Sequence, residues 1–223
     1  LRFQSGANSA LLQYCLISRA CHSPGGGHTG TGPMVRLAGT TIAFEDCVLS
    51  DSPGKTLTNT GNCDITFRRT HCARGVMGPE LDGSALLIED SNFTDMLDTY
   101  RESGAQDDED GIYIHDSGGR TVLLSRSVFA NTKDDAVDLL AGSLTIDDCI
   151  IRDAFDKGIS LLRNDTLIRR SRIIDCDIGI SSKTDEAHKD TPYTTTLENV
   201  TIVCEEHPTN TSDGTAHSTG IHT

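Results

Sequence analysis

The stretch "LSRSVFANTKDDAVDLLAGSLTIDDCIIRDAFDKGISL", Leu124 to Leu161, contains the same unit twice. "LSRSVF" (124–129) and "IDDCII" (146–151) share the pattern apolar-x-x-small-x-apolar and start 22 residues apart. Each is followed by a short strand-like run, "AVDL" (136–139) and "GISL" (158–161). Outward from this stretch the same line recurs as "LQYCLI" (12–17), "FEDCVL" (44–49), "FRRTHC" (67–72), "IEDSNF" (88–93), "IRRSRI" (168–173) and "LENVTI" (197–202). Successive lines start 32, 23, 21, 36, 22, 22 and 29 residues apart, which is a base period of 21 to 23 lengthened by inserted loops. The second run recurs as "MVRL" (34–37), "GIYI" (111–114) and "GISS" (179–182).

Short strands repeated at one coil length and separated by polar turns describe an all-β solenoid, a right-handed parallel β-helix of about eight or nine coils. One coil cannot bury its apolar face alone and must stack on its neighbours. No window sustains a 3.6-residue apolar pattern, so a helical repeat fails. A sandwich does not require one residue class at one offset eight times. Stacking aligns columns. Leu12, Phe44, Phe67, Ile88, Leu124, Ile146, Ile168 and Leu197 form one; Ile17, Leu49, Cys72, Phe93, Phe129, Ile151, Ile173 and Ile202 form another. Between them run Cys15, Cys47, Thr70, Ser91, Ser127, Cys149, Ser171 and Val200, a ladder of small residues suited to a tight interior corner. Buried Cys there acts as a small hydrophobe. Cys15/Cys21 and Cys176/Cys204 stay open as bridges.

Composition narrows the class. Aromatic residues make up 4% and Trp is absent, so Ile, Leu, Val and small residues must fill the interior. The net charge of −14 argues against a nucleic-acid surface, which needs clustered Lys and Arg. No run of 18 apolar residues exists to span a membrane. The eight Cys include no CxxC pair or zinc-type Cys/His cluster. The chain starts at Leu1 with no initiator Met or leader, and so reads as one domain over residues 1–223, either processed or a segment of something larger. Secretion or display at the cell surface fits this balance. Asn92, Asn164, Asn199 and Asn210 open Asn-x-Ser/Thr sequences, which are glycan acceptors only in a eukaryotic secreted protein.

Longer loops border the second strand of the coil: "HSPGGGHTGTGP" (22–33), "DMLDTYRESGAQDDED" (95–110) and "TDEAHKDTPY" (184–193). Loops on one edge of a solenoid build a cleft or are merely tolerated insertions. The His residues in these loops and in the C-terminal tail have no ligand spacing. Aligning coils on "EDGIYI", "DDAVDL", "DKGISL" and "DIGISS" puts Asp110, Asp135 and Lys157 in one file, with rungs about 4.8 Å apart. Asp134 and Asp138 flank it. Carboxylates this close need a proton, a cation or a Lys. They suit a shared Ca²⁺, for which Asp135, Asp138 and Asp156 are the candidate ligands. They equally suit an acid/base pair for glycoside hydrolysis, or a Lys157 base beside a metal for β-elimination. The alternative is a structural ladder of turn Asp residues that bond local backbone N–H groups.

These motifs resemble, coil by coil, the right-handed β-helix proteins that act on pectin, and the polygalacturonase glycoside hydrolases among them. That family carries N-T-D-G-I, D-D, G-H-G and R-I-K on consecutive coils. "EDGI" supplies Asp110, "DDAV" supplies Asp134 and Asp135, "DKGIS" puts Lys157 where the family has His, and "GISSKT" supplies Lys183 with Ser181 at the Arg. The missing Asn-Thr, His and Arg depart from the family's hydrolytic pattern. The chain also looks like β-helix segments of large bacterial surface proteins. The resemblance implies a protein that binds and cleaves an acidic, uronate-containing polysaccharide in a groove along the GIxI strands, as a hydrolase or a lyase. Asp110, Asp134, Asp135 and Lys157 are then catalytic, and Lys183, Tyr113 and Asp138 touch substrate. A non-catalytic surface module or carbohydrate-binding module is the other reading.

Overall fold

The computed structural model describes residues 1–5, 9–20, 32–97, 109–204 and 219–222. Within them there is no helix, and the strands form three parallel sheets of nine, eight and eight strands. Each coil gives one strand to each sheet, as in Thr41–Glu45, Val48–Ser50 and Lys55–Thr60. We call the sheet containing Lys55–Thr60 the first, that of Thr41–Glu45 the second and that of Val48–Ser50 the third. All three run through the described chain and every strand pairs with its counterpart one coil away. The parallel β-helix expected from the repeat is therefore the observed fold.

The register reproduces the predicted columns residue by residue. Phe44 pairs with Phe67, Ile88 with Leu124 and Ile146 with Ile168 in the second sheet. Leu49 pairs with Cys72, Phe93 with Phe129 and Ile151 with Ile173 in the third. These residues face one another across the interior and are fully buried. Four of the six Phe residues make a continuous stack: Phe44 on Phe67 at 5.0 Å, Phe67 edge-on to Phe93 at 5.3 Å, and Phe93 on Phe129 at 5.6 Å. The stack crosses from the second-sheet column to the third, so four of the chain's ten Phe and Tyr rings form one continuous run of the interior.

The small-residue ladder has a sharper role than filling space. Thr70 N–H donates to Ser91 Oγ (3.0 Å), Ser91 N–H to Ser127 Oγ (3.1 Å) and Cys149 N–H to Ser171 Oγ (3.0 Å). Ser91, Ser127 and Ser171 in turn donate to the carbonyls of Glu89, Ser125 and Arg169. The strand turns a corner here, leaving an amide without a ladder partner, and the hydroxyl of the next coil satisfies it. No disulfide joins Cys15, Cys47, Cys63, Cys72, Cys149, Cys176 or Cys204 among the described residues, so no Cys176–Cys204 bridge forms; Cys21 lies outside the described residues. Burial pushes the Cys149 thiol up to about 11, which makes it a poor nucleophile.

The corner itself needs a left-handed residue in every coil. Tyr14, Asp46, Arg69, Asp90, Arg126, Asp148, Arg170 and Asn199 occupy it, with φ between 48° and 56°. Such a conformation costs about 1 kcal/mol or more outside Gly, Asn and Asp. Alternating charge offsets part of that cost. Arg69 Nε donates to Asp46 (2.7 Å) and Arg126 Nε to Asp90 (2.8 Å) across adjacent coils.

Candidate acidic site on the first sheet

The turn that leaves the third sheet delivers the acidic residues onto the edge of the first. After Val128–Thr132 the chain bends through Lys133, Asp134 and Asp135 into Val137–Leu139, and Thr132 Oγ1 donates to the Asp134 carbonyl (3.1 Å). Tyr113 pairs with Asp138, Asp138 with Ser160 and Ser160 with Ser181, which confirms the predicted coil alignment. Gly111 is required where the coils pinch. A Cβ there would lie 2.4 Å from the Ala136 carbonyl oxygen.

Asp110 and Asp135 therefore stack, and each ties its own coil to the next. Asp110 Oδ1 accepts from Asp135 N–H (3.1 Å), and Asp135 Oδ1 accepts from Lys157 N–H (3.0 Å) and from Lys157 Nζ (3.2 Å). Lys157 Nζ also pairs with Asp156. Oxygen atoms of Asp110, Asp134 and Asp135 lie within 4.8 Å of one another. Asp110 and Asp135 are buried while Asp134 is partly open.

Burial, followed by the charges of Asp135, Asp134 and Asp138, raises the Asp110 carboxyl well above the usual range. Burial likewise raises Asp135 to about 7, against the pull of Lys157 and with the push of Asp138 and Asp156. Like charges this close do not all ionise, so the pair retains a proton near neutrality. Burial works to lower Lys157, but Asp135 and Asp156 outweigh it and hold the amine above the ordinary lysine range. Lys157 is thus a committed ammonium, which counts against its expected role as a base.

Of the other predicted residues, Tyr113 is buried one rung from Asp138, and Asp138 is half-buried in the same column. The oxygens that converge are those of Asp110, Asp134 and Asp135, and between Asp135 and Asp156 sits the Lys157 ammonium. This geometry departs from the expected Asp135–Asp138–Asp156 ligand set. Lys183 stands apart from the cluster, lining a cavity of about 460 Å³ with Ser182, Thr184, Thr191 and Tyr193. Most of the loops expected to border the groove (residues 22–31 and 98–108) lie outside the described residues, as does Asn210. Asn164 is buried with its Nδ2 bonded to the Leu139 carbonyl, so it is not a glycan acceptor.

Sequence reasoning missed a second polar group on the same face. Glu80 pairs with Tyr113 in register, forms an ion pair with Lys55, and lies 2.7 Å from His115 Nε2. The Tyr113 and His115 rings meet edge-on at 4.5 Å. Lys55 and Glu80 belong to "KTLTNT" and "MGPEL", coils that lack the Gly-Ile marker used for the alignment. Counting rungs from the second-sheet column would have reached them.

The chain belongs to the family described as right handed beta helix region, whose model matches residues 4–178. No curated protein sequence matches it. Among solved structures it is similar to the Dettilon tailspike protein, with 8% identity over 89% of this chain and 54% of that one and a TM-score of 0.43. It is also similar to the A-module of the Azotobacter vinelandii mannuronan C-5 epimerase, with 11% identity over 80% of this chain and 62% of that one and a TM-score of 0.39. The chain therefore spans less than two thirds of either structure. No helix among the described residues is long and apolar enough to cross a membrane.

Proposed function

We propose that this β-helix, secreted or displayed at a cell surface, binds an acidic, uronate-containing glycan along the first sheet and cleaves it through Asp110, Asp134 and Asp135. The observation that carries this reading is the convergence of the buried, stacked Asp110 and Asp135 carboxyls with the partly open Asp134; burial raises both buried carboxyls, which favours a shared proton. A protonated carboxyl is the acid a departing glycosidic oxygen needs, and an ionised one beside it can activate water. Lys157 balances the charge of Asp135 and Asp156 without giving up its proton. Tyr113 and Asp138 line the face over which the sugar would lie, and Lys183 meets a uronate carboxylate further along.

A second reading rests on the spacing of the same three residues. Oxygens within 4.8 Å suit a Ca²⁺ with bonds of about 2.4 Å, so the site fits a shared cation. Such an ion would supply charge to a uronate carboxylate and hold Asp110 and Asp135 ionised.

A panel of acidic and neutral polysaccharides, incubated with and without EDTA, tests both readings. New reducing ends that survive EDTA and vanish in Asp135→Asn support acid–base hydrolysis. Activity that EDTA abolishes, with ultraviolet absorbance from unsaturated uronate, supports the cation reading. No product from any glycan, or full activity in Asp135→Asn, overturns the assignment in favour of a non-catalytic module.

A further inference from the structure

The chain contains 33 Asp and Glu residues, yet none before Glu45. Over that same stretch it carries Arg2, Arg19 and Arg36. Most described cations in the coils beyond it, Arg172 and Lys183 apart, are closely paired: Arg68 with Glu45 and Glu89, Arg69 with Asp46, Arg74 with Asp51, Arg126 with Asp90, and Arg169 and Arg170 with Asp147. Among the described residues, the three N-terminal arginines have no such partner.

Their placement sharpens the contrast. Arg2 pairs in register with Arg36 on adjacent rungs of the first sheet, about 4.8 Å apart. Like charges side by side on a sheet destabilise it unless something neutralises them. Arg19 sits at a left-handed corner (φ 54°). The carboxylate one rung above, Asp51, is taken by Arg74 (2.9 Å) and by the hydroxyls of Ser50 and Ser18. All three arginines are exposed and line one cavity of about 670 Å³ with Leu1, Ala20, Pro33 and Met34. Residues 6–8 and 21–31, adjacent in sequence only, contain no Asp or Glu.

We infer that Arg2, Arg19 and Arg36 form an anion subsite that holds the carboxylates of a uronate chain extending away from the acidic cluster. Guanidinium forks match carboxylates in a planar, two-bond geometry that a lysine does not offer. Arg36 occupies the same first-sheet column as Thr58, Glu80, Tyr113 and Asp138. Four rungs separate Arg36 from Asp138, about 19 Å along the groove. A polyanion is repelled by most of this protein, so a cationic patch with no acidic partner among the described residues sets where the chain lies. The subsite rests on the uronate-glycan reading above. It adds that a polymer, rather than a single sugar, is the ligand.

The test uses the full chain and end-labelled oligogalacturonates of increasing length, read by fluorescence anisotropy. Affinity should climb with length until the oligomer spans the groove, then level. Arg19→Gln/Arg36→Gln should remove that gain, weakening the longest oligomer about tenfold, while Arg19→Lys/Arg36→Lys recovers part of it. Added salt should narrow the difference. The arginines are exposed and Arg36→Gln relieves the repulsion from Arg2, so the urea midpoint should not fall. Length-independent affinity, or unchanged binding by the Gln variant, overturns the subsite. Product formation measured in parallel keeps the two claims apart. Turnover with unchanged binding by the Gln variant sinks the subsite alone. Arginine-dependent binding without turnover sinks the cleavage assignment alone.

Discussion

Asp135 should make the fold less stable as the solution becomes more alkaline, and Asp135→Asn should reduce that slope. The folded carboxyl binds its proton more tightly than the unfolded one, with a value raised from 3.8 to about 7. Its stabilising contribution is therefore complete below the unfolded value and is lost as pH rises through the folded one. Between about pH 5 and about pH 8 the loss is about 2.5 kcal/mol for Asp135 alone, and Asp110 adds to it with the same sign. The surface carboxyls of Asp46, Asp51 and Asp90 are held low by hydrogen bonds from Arg69, Arg74 and Arg126 and stay silent over this window. Urea midpoints measured across the window in EDTA supply the readout. The amide introduced by Asp135→Asn keeps an oxygen for the Lys157 N–H, so the variant tests charge rather than a lost hydrogen bond. Added Ca²⁺ should stabilise the wild type more at the alkaline end, because the ion competes with the proton. A wild-type stability that is level or rises with pH, or an equal slope in Asp135→Asn, would refute the reasoning.

Ser127→Ala should cost about 1–3 kcal/mol, since it orphans the buried Ser91 amide; Ser127→Cys should cost less, as Cys149 stands at the equivalent place, and chemical denaturation distinguishes them. Phe67→Ala should cost about 3–5 kcal/mol in the same assay, because its ring contacts both Phe44 and Phe93. Gly111→Ala should lose about 1–3 kcal/mol by forcing the coils apart at the Ala136 carbonyl. It should also lower whatever activity the acidic cluster has, which would show as lost product at unchanged expression.

The interior was legible because a solenoid writes the same environment once per coil. Phe44, Phe67 and Ile88 occur at one offset because each fills the same slot, and the register bears this out. The acidic file was legible for the same reason, since Asp110, Asp135 and Lys157 precede recognisable Gly-Ile or Ala-Val pairs. What stayed hidden depends on the third dimension. Glu80 and Lys55 lie in coils whose marker positions read Thr56-Leu57 and Gly78-Pro79. Whether Lys157 serves as a base or a counter-ion depends on which carboxylates surround its amine, and chain order does not state that. The hydroxyl ladder showed in sequence as small residues, but its hydrogen bonds follow from where the backbone bends.

The left-handed corner carries one further consequence. From Asp46 to Arg170 its charge alternates with every coil: Asp46, Arg69, Asp90, Arg126, Asp148, Arg170. Removing or duplicating one coil would leave the apolar interior continuous but set two like charges against each other at the new junction. Removing or duplicating two would restore the alternation. Although one coil is the packing unit, the edge makes a pair of coils the smallest piece by which this helix can lengthen or shorten without an electrostatic fault.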